Sequence, residues 1–248
     1  MKNPFSLEGK NILITGASSG IGRQCAISCS EMGANIVLIG RNEEKLKEAL
    51  NSLEKGNHVY HILDVTRYEE IENVIAESVE KTGKISGFIH SAGKEQTIPF
   101  NIMKPSIYED LYSVNVIAGL EFARIISKKK YAESPLSIVF VASIMGSFGD
   151  AALSAYCSSK GAIINAAKSL AVELAQRQIR VNCVSPGYIE DTKMTNSISN
   201  DILEKKVILH PLGFGKTVDV ANACIYLLSN ASRWVTGTNL VVDGGYSA

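Results

Sequence analysis

Two rhythms of apolar and polar positions alternate along the chain. Short runs are apolar at nearly every position: "NILIT" (11–15), "NIVLI" (35–39), "HVYHIL" (58–63), "ISGFIHS" (85–91), "LSIVFVAS" (136–143), "IRVNCVS" (179–185) and "NLVVD" (239–243). Between them lie stretches of helical length and period, such as "EEKLKEALNSLEK" and "YEEIENVIAESVEKTG". Strand-length runs separated by helices predict a parallel sheet, and strands without a polar face predict helices covering both sides of it. The expected architecture is α/β, a doubly wound parallel sheet of about seven strands in a single domain, 1–248. One long stretch breaks the rhythm, "PGYIEDTKMTNSISNDILEKKVILHPLGFGK" from Pro186 to Lys216. A loop of that length after a strand's carboxyl end predicts a substrate loop or lid over about 187–216. Its apolar residues (Met194, Ile198, Ile202, Leu203) and polar ones (Thr195, Asn196, Ser199, Asn200) suit an acyl chain, a sugar or a steroid-like ring alike.

Composition narrows the function classes. Of 248 residues, 46% are hydrophobic and 20% charged, and 25 basic side chains balance 25 acidic ones, so no global field favours nucleic acid or an anionic membrane. The densest basic run, Lys128, Lys129 and Lys130, is expected in the last turn of a helix, where cations oppose the macrodipole. The five cysteines (25, 29, 157, 183, 224) form no CxxC pair and the four histidines (58, 61, 90, 210) no HExxH pattern, so no metal site is expected. Free thiols, an N-terminus "MKNPFSLEGK" without an apolar leader, and no run of the ~18 apolar residues needed to span a bilayer fit a cytoplasmic protein.

Candidate chemistry begins after the first strand. "NILITGASSGIGRQCA" sets Gly16, Gly20 and Gly22 between a strand and a helix, where glycines let the backbone approach a pyrophosphate held on helix N-terminal N–H groups. The spacing is GxxxGxG. At the end of the second strand, where a carboxylate would bind the ribose of NAD, "VLIGRNEEK" places Gly40, and Arg41 follows with a guanidinium suited to a 2′-phosphate. NADP(H) is therefore favoured over NAD(H), although Glu43 and Glu44 stand close and Arg41 also suits a solvated place before a helix capped by Asn42. Further on, "SAYCSSKGA" sets Tyr156 four positions before Lys160, on one face of a predicted helix, and turns Cys157 about 100° away.

With "TGASSGIG", "SAYCSSK" and Ser143 thirteen residues before Tyr156, the chain resembles the short-chain dehydrogenase/reductase family over essentially its whole length. Further matches are "LDV" (63–65), "SVNV" (113–116), "VASIMG" (141–146), "RVNCVSPG" (180–187) and "VTGTNLVVDGG" (235–245), closest in flavour to 3-oxoacyl-[acyl-carrier-protein] reductases. The resemblance implies a Rossmann-type fold and a catalytic tetrad of Asn115, Ser143, Tyr156 and Lys160. It also implies that Gly16, Ser18, Ser19, Gly20 and Ile21 line the pyrophosphate side, Asp64 and Val65 meet the adenine, and Pro186, Gly187 and Ile189 border the nicotinamide. Two departures stand out. The family's Asn-Asn-Ala-Gly becomes His90, Ser91, Ala92 and Gly93, which keeps the small pair beside the cofactor and makes His90 a structural imidazole at a strand end in preference to a catalyst. "PGYIEDTKM" carries one residue more than the common form, leaving Thr192 as the carboxamide contact by residue type and Asp191 by register.

The implied reaction moves a hydride between NADP(H) and a small-molecule carbonyl or secondary alcohol. Tyr156 is the general acid/base, its pKa lowered by the Lys160 cation; Ser143 holds the substrate oxygen, Lys160 the ribose hydroxyls, and Asn115 a relay water. Competing readings are a non-catalytic NADP(H)-binding sensor or scaffold, an NAD-dependent alcohol or sugar dehydrogenase, and a nucleotide-sugar epimerase. The resemblance further implies a homotetramer, or a dimer, built on the last strand and two long helices.

Overall fold

A computed structural model describes residues 3–192 and 207–248. Seven strands, β1 (Asn11–Thr15), β2 (Asn35–Gly40), β3 (Val59–Ile62), β4 (Ile85–His90), β5 (Ala132–Val141), β6 (Ile179–Pro186) and β7 (Asn239–Val242), form one parallel sheet in the order β3-β2-β1-β4-β5-β6-β7. Among the described residues the main helices are α1 (Gly20–Glu31), α2 (Glu43–Asn51), α3 (Tyr68–Thr82), α4 (Pro105–Tyr112), α5 (Ala118–Ile126), α6 (Ser154–Leu174) and α7 (Thr217–Leu228), with a π turn, Ser113–Ile117, joining α4 to α5.

Strand pleating explains the unbroken apolar runs. Successive side chains point to opposite faces, and here both faces are covered. Leu13 and Phe88 pack with Ile71 and Ile75 of α3, Phe122 of α5 and Ile163 of α6. Their neighbours Ile12, Ile14 and Ile89 pack with Cys25 and Cys29 of α1, Leu46 of α2 and Val220 and Leu227 of α7. Each such side chain taken fully out of water contributes roughly 1.5–3 kcal/mol. The strand order reverses between β1 and β4, so their carboxyl ends diverge and leave the crevice where ligands bind in open α/β sheets.

Two expectations shift. The strand expected at 136–143 is Ala132–Val141. The lysine run lies beyond α5 rather than in its last turn, because the helix ends at Ile126 and the chain folds back toward α3. There Lys128 and Lys130 reach Glu72 at 2.7 and 2.9 Å and hold its carboxyl down at about 2. No helix among the described residues is long and apolar enough to cross a membrane. The lid residues Met194, Thr195, Asn196, Ile198, Ser199, Asn200, Ile202 and Leu203 lie outside the described residues.

Candidate active site

A cavity of about 910 Å³ opens at the carboxyl ends of the strands. Its floor is the turn after β1. Gly16 there has φ +69°, and a Cβ on it would stand 2.8 Å from the Ala92 nitrogen, so the two backbone turns touch only because position 16 has no side chain. Ser19 leads into α1 without a side-chain cap, which leaves the N–H groups of the first turn turned toward the cavity that Ser19, Gly20 and Ile21 line.

The cavity gathers nearly every residue singled out from sequence. Gly16, Ser18, Ser19, Gly20, Ile21, Arg41, Asp64, Val65, Ala92, Gly93, Ser143, Tyr156, Lys160, Pro186, Gly187, Ile189 and Thr192 all line it. Asn115 does not. It stands one layer behind, where its amide donates to the Lys94 carbonyl (3.0 Å) and to Ser159 Oγ (3.0 Å) while its carbonyl oxygen accepts from the Lys94 N–H (2.9 Å). Among residues the pattern did not mark, Glu95, Tyr188, His210 and Tyr246 also reach the cavity. Glu95 sits two residues past Gly93 and Tyr246 follows Gly245, so adjacency to a motif was their one signal, while Tyr188 and His210 fall within the expected loop at 187–216.

At one end Arg41 Nη1 lies 3.5 Å from Asp64, whose other oxygen accepts from the Thr66 N–H (3.0 Å) and hydroxyl (2.8 Å). These contacts hold the Asp64 carboxyl below its ordinary range, the backbone N–H first among them. Asp64 thus caps a turn and faces the cavity together. A Cβ on Gly40 would meet Leu46 at 3.2 Å and Ser18 at 3.3 Å, so an acidic side chain there would have to displace both. Glu43 is turned to Lys47 (2.9 Å) and the Tyr60 hydroxyl (3.2 Å), and Asn42 caps α2 by accepting from the Lys45 N–H (2.9 Å).

At the other end Tyr156 and Lys160 share the buried face of α6, with the Lys160 ammonium 5.7 Å from the centre of the phenol ring. Lys160 Nζ donates to the Val141 carbonyl (2.9 Å), and burial lowers its pKa from 10.5 to about 8. The expected lowering of the phenol is reversed. Burial raises the Tyr156 pKa above its ordinary 10 and the Glu95 charge adds to this, while the hydrogen bond with Ser143 opposes both. Ser143 in turn accepts from the Met145 N–H (3.2 Å), which fixes its rotamer. The phenol is therefore held protonated.

The two candidates for the carboxamide contact separate. Asp191 accepts from the Thr217 N–H (2.9 Å) and hydroxyl (2.8 Å), and so is committed to the first turn of α7. Thr192 lines the cavity, with its methyl group facing Gly20. Beyond it the wall is aromatic: Tyr188, backed by Phe214 with ring centres 4.1 Å apart, and His210 and Tyr246, 5.0 Å apart. A close glycine turn, an open helix N-terminus, and polar groups at both ends of a long cavity fit a dinucleotide.

His90 is 2% exposed and faces the structure. Burial lowers its pKa from 6.5 to about 4. Between those values the unfolded chain binds a proton that the folded one refuses, so stability is fully present above pH 6.5 and falls by roughly 3 kcal/mol as pH drops toward 4. Urea unfolding at pH 7 and pH 4.5 is expected to show a larger loss for the native chain than for His90→Gln; equal losses would exclude His90 as the group responsible.

The family model described as enoyl-(acyl carrier protein) reductase matches residues 16–247. A 3-oxoacyl-[acyl-carrier-protein] reductase of Rickettsia prowazekii is 35% identical over 242 residues, covering 97% of this chain and 98% of its own. The crystal structure of a dehydrogenase/reductase from Sinorhizobium meliloti 1021 superposes with a TM-score of 0.93 at 29% identity, over 99% of this chain and 98% of the other. A 7α-hydroxysteroid dehydrogenase complexed with NADH and 7-oxo glycochenodeoxycholic acid does so with a TM-score of 0.93 at 28% identity, over 99% and 98%.

Proposed function

The chain belongs to the short-chain dehydrogenase/reductase family, and is an oxidoreductase akin to the 3-oxoacyl-[acyl-carrier-protein] reductases; from that premise we propose that it reduces a carbonyl compound with NADPH, with Tyr156 as proton donor. The observation that carries this reading is the buried row of Ser143, Tyr156 and Lys160 at one end of a cavity whose other end holds Arg41. A nicotinamide cofactor, when bound, supplies the hydride. Gly16, Ser18, Ser19, Gly20 and Ile21 would hold its pyrophosphate, Asp64 and Val65 its adenine, and Ala92, Gly93, Pro186, Gly187, Ile189 and Thr192 its nicotinamide half.

The protein's own chemistry is orientation and proton supply. Ser143 donates to the substrate oxygen and stabilises its developing charge. Tyr156 gives that oxygen its proton, and the Lys160 ammonium beside the ring limits the cost of the phenolate left behind. Lys160 would also hold the ribose hydroxyls, and Asn115, anchored on the Lys94 backbone, would steady the water that returns a proton to it. In the oxidative direction the same groups act in reverse.

The substrate reading is a ketone with an apolar body, such as a 3-oxoacyl group: Met145, Leu153, Tyr188, Leu209 and Tyr246 supply apolar wall on the tyrosine side of the cavity. Residues 187–216 act as the substrate loop, and both described ends of it line the cavity through Tyr188, Thr192, Leu209 and His210. A cytoplasmic setting and a homotetramer, or a dimer, go with this reading. Its support is five free thiols, an edge strand β7, and exposed Val172, Trp234 and Val241.

A panel of ketones and alcohols assayed with NADPH and NADH separately tests the function. Arg41→Ala is expected to lower kcat/KM with NADPH about 10- to 100-fold, the worth of a charged hydrogen bond to phosphate, and to leave the NADH value near its starting level. Turnover with NADH alone would sink the Arg41 assignment.

A further inference from the structure

His90 closes β4 beside the Ala92–Gly93 ledge, and its ring makes two hydrogen bonds in opposite directions. Nε2 lies 3.0 Å from the Val114 carbonyl, which can only accept, so Nε2 carries the hydrogen. Nδ1 must then accept from the Thr15 hydroxyl at 2.8 Å, and the Thr15 oxygen accepts from the Ala92 N–H at 3.3 Å. The imidazole thus ties the ends of β1 and β4 to the π turn at Ser113–Ile117.

That turn is where Asn115 sits, directly after the carbonyl that His90 holds. A single π turn interrupts the regular ladder of a helix, so the aim of its side chains depends on what fixes its backbone. The helix is cut to receive the ring: a Cβ on Gly119 would stand 2.7 Å from His90 Cδ2 and 2.9 Å from Cγ. Phe88 and Phe140, with ring centres 6.2 and 6.4 Å away, close the slot from the sheet.

We propose that His90 is a positioning residue for the proton relay: its Nε2–H holds the Val114 carbonyl and so fixes the turn that aims Asn115, in a slot that Gly119 keeps open. The proposal rests on the relay role given to Asn115 above. Displacing a catalytic constellation by about 1 Å can cost 10²-fold in rate, so the loss of this bond shows in turnover.

Amide substitutions separate the two bonds. A Gln amide reaches about as far as Nε2 and can still donate to Val114, whereas an Asn amide reaches only the position of Nδ1. His90→Gln is expected to keep kcat within about threefold of the native value, and His90→Asn to lower it about 10- to 100-fold with the cofactor KM little changed. In an Asn115→Ala background His90→Asn should add nothing, because both changes act through one group. Equal kcat for the two His90 variants, or losses that multiply in the double mutant, would overturn the proposal and leave the relay reading standing. Full turnover by Asn115→Ala alone removes the relay reading and the proposal with it. Should His90→Asn fail to fold, Gly119→Ala presses on the ring from the other side while favouring the helix. It is expected to slow the native chain and not the Asn115→Ala chain, and slowing both alike would overturn the proposal.

Discussion

Tyr156→Phe is expected to abolish measurable turnover, lowering kcat by at least about 10²- to 10⁴-fold, the range that general acid-base groups supply. Cofactor affinity and folding should change little. The substitution removes one oxygen from a ring that is 7% exposed on α6, and the hydroxyl's partner, Ser143, keeps a second hydrogen bond with the Met145 N–H. Burial gives the experiment its direction. The phenol keeps its proton throughout the neutral range, so the proposed donor is present in the native chain, and a phenyl ring has none. The checks are steady-state reduction of a responsive ketone, a cofactor titration by fluorescence, and a thermal melt. Retention of most of the native kcat with the other two readouts unchanged would remove Tyr156 from the chemistry.

What the sequence disclosed here was whatever depends on neighbours along the chain. The central strands were legible because β1, β2 and β4 are buried on both faces, which leaves the middle of runs such as "NILIT" without a polar position. Tyr156 and Lys160 were legible because helical spacing places i and i+4 together, and the turn at Gly16 because a strand and a helix meet there. What stayed hidden depends on partners distant in sequence. His90 finds Thr15 75 residues before it and Val114 24 residues after it, and no local pattern announces either. Asp191, the candidate by register, is spent on the first turn of α7, 26 residues on, which is why Thr192 and not Asp191 faces the cavity. The Tyr156 shift was misread for the same reason. The nearby cation was visible in the helix, but the depth of burial and the Glu95 charge, which set the direction of the shift, come from elements folded over it.

Lys160→Met separates stability from catalysis in the same site. The ammonium is buried at the cavity wall, and its pKa falls from 10.5 to about 8, a cost of roughly 3 kcal/mol to the folded chain at neutral pH. The sign follows from proton counting: between pH 8 and 10.5 the unfolded chain holds the proton more often, so native stability rises as pH climbs through that window. Methionine keeps the apolar stem and removes the buried charge, but it leaves the Val141 carbonyl without its donor, which gives back roughly 1–3 kcal/mol. The variant should therefore melt at the native temperature or a few degrees above it, and lose the rise in stability between pH 8 and 10.5. Turnover should fall at least about 10²-fold, since the proposed mechanism gives both the phenolate and the ribose hydroxyls the Lys160 cation. A melting point well below that of the native chain would show that Lys160 serves the fold, and near-native kcat that Tyr156 works without it.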